Sequence, residues 1–145
     1  MFSNIQNITK CLFPIITMKS TIVLFGESEK GQYQAGYLCH SLMDLCSSLG
    51  HPIANQGNGI FLAIQLIMLN YSVLFFRVQE EGFNSEHYLF GAKFLNEQQL
   101  INSFTAIAIP GVGDNQIIEA FIPICHKYES LLVINEQDLY DLLTF

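Results

Sequence analysis

The sequence predicts an α/β fold, with helices on both faces of a mainly parallel sheet of about five strands, and three observations carry it. From Ser20 onward, short apolar runs of period 2 alternate with apolar runs of period 3.6, the pattern of β/α units around a parallel sheet. Glycine punctuates the passages from strand to helix. Half of the 145 residues are hydrophobic and only 13% are charged, enough to bury the core of one domain.

Residues 1–17 fit no domain element. Their apolar patch, Cys11 to Ile16, is interrupted by Pro14 and lacks the basic start and small-residue cleavage site of a signal peptide. They read as an N-terminal extension, and the domain as 18–145. TIVLFG (21–26) is a β-branched, wholly apolar strand ended by glycine. Residues 31–50 read as a helix, with Leu38, Leu42, Leu45 and Leu49 on one face and Gly50 at the C-cap. HPIAN (51–55) reads as a second, short strand, followed by a helix from Ile60 to Leu69. YSVLFFRV (71–78) is the third strand, and Asn84 or Ser85 can cap a long helix to about Ile101. FTAIAI (104–109) is the fourth strand, Asp114 is typed as the N-cap of a helix to Tyr128, SLLVIN (130–135) is the fifth strand, and EQDLYDLL a final short helix. The sum is a Rossmann-like three-layer sandwich, whose ligand crevice lies outside the carboxyl ends of its strands.

Composition excludes several classes. Six Lys plus Arg stand against thirteen Asp plus Glu, a net charge of −7, and Arg77 is the only arginine. Nucleic acid needs clustered cations, so it is not an expected partner. No apolar run reaches the roughly 18 residues of a membrane span, and GIFLAIQLIML (59–69) fits a core helix. Cys11, Cys39, Cys46 and Cys125 form no CxxC pair. Neither they nor His40, His51, His87 and His126 have metal-ligand spacing, so no metal or cofactor is expected. Unpaired thiols fit a reducing, cytoplasmic setting.

Three strand-to-helix turns carry glycine: Gly26, then Gly57-Asn58-Gly59, then Gly111-Val112-Gly113 with Asp114 next. Each precedes a helix N-terminus, where free N–H groups and the helix dipole favour an anion, and a missing Cβ lets it approach. Together they suggest a cradle for a phosphate-bearing small molecule, with Glu27 and Ser28 beside Gly26 to meet phosphate or ribose. The plainer reading is that glycine closes tight loops. No turn is a Walker A or GxGxxG motif. His87, and Glu80 with Glu81, also fall on the ligand side as acid–base candidates, although adjacent glutamates more often mark a solvated loop and a histidine at a helix start is more often solvated.

In order and spacing, LGHPIANQGNGIFLAI (49–64), FGAKFLNEQQLINSFTAIAIPGVGD (90–114) and YESLLVINEQDLYDLL (128–143) resemble the lysine decarboxylase-like phosphoribohydrolases and related nucleotide-binding domains. Those enzymes release bases from riboside monophosphates. The resemblance implies a nucleotide ligand and a homodimer. Independently of it, twelve Phe and six Tyr beside so few charges put some rings at a surface, where Phe61, Phe75, Phe76 or Tyr88 would stack a base or form a dimer face, although core packing accounts for most of them equally well. The family's arginine falls on Ala92, leaving Lys93 as the nearby cation, and the threonine of its glycine motif on Asp114. Its glutamate falls on Ile118, with Glu119 one step away, about 100° around a helix. Breaking an N-glycosidic bond through an oxocarbenium-like state needs a placed carboxylate. Lys93 and Glu119 are therefore the catalytic candidates in shifted roles. The expectation is a nucleotide-derivative-binding domain with reduced or no hydrolase activity. The alternatives are an active phosphoribohydrolase and a protein–protein module without ligand.

Overall fold

The computed structural model describes residues 20–53 and 57–144. The expected extension over residues 1–17, and Ala54 and Asn55 of the expected second strand, lie outside them. The strands are β1 (Thr21–Gly26), β2 (Gly36–Cys39), β3 (Ser72–Arg77), β4 (Ala106–Ala108) and β5 (Leu131–Val133), in the order β2-β3-β1-β4-β5. β1 runs parallel to β3 and β4, and β4 parallel to β5; β2 alone is antiparallel, against β3. The helices are α1 (Leu42–Leu49), α2 (Gly59–Met68), α3 (Ser85–Glu97), α4 (Asn115–Tyr128) and α5 (Glu136–Thr144). This is the predicted α/β sandwich.

Both central strands are buried on both faces, which is why they read as unbroken apolar runs. Alternation sends Ile22, Leu24, Val73 and Phe75 to the layer of α1, α2 and α5. It sends Val23, Phe25, Leu74 and Phe76 to the layer of α3 and α4. In the second layer the Phe25 ring lies 4.8 Å from Phe76, 5.5 Å from Tyr88 and 5.0 Å, edge-on, from Phe121. Several caps fall where the residue types place them. The Asn84 side chain accepts the His87 N–H at 3.2 Å, and Asp114 accepts the Gln116 N–H at 2.8 Å. Gly50, at φ 85°, closes α1.

The helix expected over residues 31–50 is corrected. Only Leu42–Leu49 is helical, and Gly36–Cys39 is the antiparallel edge strand. The Ser41 hydroxyl accepts the Asp44 N–H and starts the helix there, one turn before the leucines that bury. Of the four leucines that shared a helical face, Leu45 and Leu49 are buried, Leu42 is 46% exposed and Leu38 belongs to the strand. The described part of the expected strand at 51–55 carries no strand, and β2 takes its place in the sheet.

Candidate functional site

β1 has β3 on one side and β4 on the other, so the connections of the parallel strands part at its carboxyl end, where such sheets form their crevice. An open cleft of about 560 Å³ lies there, bordered by Asn58, Glu81, Pro110, Gly111, Asn135, Glu136 and Gln137. Two of these residues are acids and none is a base. A groove of about 320 Å³ between α2 and α5 shares Asn58 and Glu136 with it. That groove presents Phe61 and Tyr140, which are 51% and 63% exposed.

The floor of the cleft is a set of backbone donors already holding anions. Glu81 Oε1 accepts the N–H groups of Glu27 and Gly59, both at 3.0 Å, and Oε2 accepts that of Asn58 at 2.7 Å. Glu27 answers in kind: its Oε2 accepts the Gly57 N–H at 3.2 Å and its Oε1 that of Glu81 at 3.1 Å. Two turns and the loop after β3 are thus tied by five charge-assisted bonds, the stronger kind of hydrogen bond. The loop reaches this place because Val78 N–H still bonds Gly26 C=O at 2.9 Å, after which Glu80 (φ 53°) and Gly82 (φ 92°) fold it back over β1. A Cβ on Gly26 would stand 2.6 Å from Glu81 Oε1 and 2.8 Å from Gly59 Cα. On Gly57 the nearest atoms would all belong to the Glu81 carboxyl. The glycines do admit an anion, and here it is the chain's own carboxylate. Burial pushes the Glu81 carboxyl above the ordinary glutamate range, aided by the Glu27 charge, and outweighs the opposing pull of the three N–H groups.

The turn at 110–113 contributes less than its glycines suggested. Gly111 N–H bonds Ile134 C=O at 3.2 Å and Val112 N–H bonds Ile109 C=O at 3.3 Å, so these donors are already engaged. Gly111, at φ 81°, backs onto the Glu81 loop, where a Cβ on Gly82 would stand 2.7 Å from its carbonyl oxygen. Val112 is buried in the core, Asp114 caps α4, and Gly113 is exposed, with open space where a Cβ would lie. Gly113→Val should therefore change stability by no more than about 0.5 kcal/mol, as surface changes do, and leave any ligand affinity unchanged in a titration.

Of the other candidates, Ser28 is buried and its hydroxyl donates to Lys30 C=O at 2.8 Å, serving its own loop. Arg77 braces that loop through Ser28 C=O at 3.1 Å and Gly31 C=O, under the Tyr33 ring. His87 Nδ1 accepts the Gln79 N–H at 2.9 Å. Lys93 lies exposed on the outer side of α3, beside Phe90, Phe94 and Glu97. Glu119 is exposed on α4, and neither of this pair borders the cleft. The structure therefore gathers Gly26, Glu27, Gly57, Asn58, Gly59 and Gly111, and leaves Ser28, Val112, Gly113, Asp114, Lys93 and Glu119 outside. The residues that sequence reasoning missed are Asn135, Glu136 and Gln137 in the cleft and Tyr140 in the groove. The first three follow β5 at the same sheet edge, and that position was their one available signal.

Among the described residues no three His, Cys, Asp or Glu side chains gather as a metal site, and no helix is long and apolar enough to cross a membrane. Compared with family models, curated proteins and solved structures, the chain matches none.

Proposed function

We propose that this domain binds a nucleotide or nucleotide derivative in the cleft beyond β1 and β4, without releasing the base. The observation that carries the reading is the pairing of two joined recesses. One is floored by backbone donors, and the other offers exposed aromatic rings, the two halves of a phosphate-and-base binding surface. A base would stack on Phe61 or Tyr140. The amides of Asn58, Asn135 and Gln137, with Glu136, offer partners for ribose hydroxyls. Base release would need a carboxylate and a cation at the glycosidic bond; the cleft offers Glu81 and Glu136 but no cation, since Lys93 lies on the outer side of α3. An interaction module without ligand is the reading left if nothing binds.

The test is thermal unfolding against nucleoside monophosphates, cyclic nucleotides, ADP-ribose, NAD and ribose 5-phosphate. A ligand present at a hundred times its dissociation constant adds about 2.7 kcal/mol of stability, several degrees of midpoint. Phe61→Ala should weaken the responding compound by about 1–3 kcal/mol, the worth of one base stack. A flat panel at millimolar concentrations refutes the proposal.

A further inference from the structure

We propose that the open edge of β5 and the groove beside it hold this chain's own N-terminal segment, Lys10 to Ile15, laid antiparallel to the strand. Leu131 N–H bonds Thr105 C=O at 3.1 Å and Val133 C=O accepts the Ile109 N–H at 2.8 Å, so both residues face β4. Leu132 between them turns its N–H and C=O to the open side. An apolar groove of about 460 Å³ runs along this edge, bordered by Leu131, Leu132 and Val133 of β5 and by Asp138, Asp141 and Leu142 of α5. Leu131 is 57% exposed in it. A bare apolar edge of this kind is a template for another strand, and folded proteins cover it.

Charge and reach select the occupant. Asp138 and Asp141 make one rim of the groove acidic, and no Lys or Arg borders it. Residues 1–19 carry Lys10 and Lys19 and no acid, whereas all thirteen acids of the chain lie beyond them, beside only Lys30, Arg77, Lys93 and Lys127. A second copy paired through β5 would set acid against acid, and this segment sets lysine against it. The apolar groove at Phe90 and Phe94 on α3 has Lys93 on its border, the wrong sign for the same segment. CLFPI (11–15) supplies apolar side chains, and Pro14, with no N–H to give, is tolerated on an edge strand. Ile22, Ala106 and Leu131 lie in one row across the sheet, so β1 begins level with β5. A strand beyond β5 lies three spacings from β1, about 14 Å. Residues 16–20 cover that distance at about 3.3 Å each. Antiparallel entry then brings Lys10 to the end of the groove where α5 starts, on the side of Asp138 and Asp141.

The test is amide hydrogen exchange of the full chain at Leu132, whose N–H an added strand would bond. If the segment is docked nine-tenths of the time, exchange there slows about tenfold, since it proceeds from the open fraction. Phe13→Asp should restore the fast rate and leave the amides of β1 and β3 unchanged, which shows the fold intact. Lys10→Gln should also speed the exchange, as should Asp138→Asn with Asp141→Asn. Combined, these changes should do no more than the larger of the two effects, as for partners in one contact. An unprotected Leu132 in the native chain, or protection that survives Phe13→Asp, overturns the proposal. Protection that rises with protein concentration overturns it too, because a second copy then covers the edge.

Discussion

Gly26→Ala is expected to cost about 3 kcal/mol of stability, the upper range for overpacking a filled core, and to lower the unfolding midpoint by about 10 °C. The added Cβ would stand 2.6 Å from Glu81 Oε1, 2.8 Å from Gly59 Cα and 3.2 Å from the Phe75 ring. None of these three neighbours can step aside freely. Gly59 opens α2, whose Ile60, Leu62, Ala63 and Leu66 are fixed in the core above β1 and β3. Phe75 lies within β3, fully buried, and Glu81 is held by three backbone donors. The nearest escape is to lift α2 from the sheet, which gives up apolar burial at about 25 cal/mol per Å². Gly57→Ala separates the two causes. The three atoms nearest its added Cβ all belong to the Glu81 carboxyl, so most of its cost should vanish in a Glu81→Ala background, while that of Gly26→Ala should persist. Denaturant unfolding of the six chains (native, Glu81→Ala, and each glycine variant in both backgrounds) measures this. A Gly26→Ala chain within 0.5 kcal/mol of the native one, about the scatter of surface changes, would mean that β1 and α2 do not pack backbone to backbone.

The elements most legible in the sequence are those whose burial is two-sided or whose caps are chemical. β1 and β3 show as continuous apolar runs because both faces are covered, and α4 begins at Asp114 because a carboxylate there satisfies an end N–H. β2 was illegible for the converse reason. It is a four-residue edge strand, half-buried, and its Leu38 fell by coincidence into register with the leucines of α1. Local periodicity cannot tell such a strand from the first turn of the helix after it. The position of the cleft was legible from the order of strands and glycines. Its occupant was not, because the bonds of Glu81 join residues 22 and 54 positions apart, and no periodicity encodes a side chain reaching that far. Glu80 and Glu81 look alike in the sequence. The backbone turn separates them, sending one to solvent and the other into the cradle. Gly111 illustrates the same limit. Its positive φ follows from the turn, but its tight approach to Gly82 depends on a loop some thirty residues earlier in the chain.

The second large effect is the pH dependence that Glu81 confers. Its carboxyl titrates above the ordinary glutamate value of 4.5 in the folded chain, because burial disfavours the charge. Between 4.5 and that raised value the folded chain holds a proton that the unfolded chain has released. The slope of unfolding free energy with pH follows protons bound unfolded minus folded, which is negative in this window. The contribution is therefore fully present below 4.5 and is lost as the pH rises through the folded value, so neutral solution is where Glu81 strains the fold most. Glu81→Gln removes the titration and keeps an acceptor for the N–H groups of Glu27 and Gly59, while its amide NH₂ faces the Asn58 N–H. That donor–donor contact costs about 1–3 kcal/mol, the penalty of an unsatisfied polar group. The difference in stability between the native chain and Glu81→Gln, measured by urea unfolding at successive pH values, should shift in favour of the native chain as the solution is acidified towards 4.5. A difference independent of pH would show that the donors hold the Glu81 charge as well as water does. A difference moving the opposite way would show that they hold it better, and the cradle would then be a high-affinity anion site in its own right.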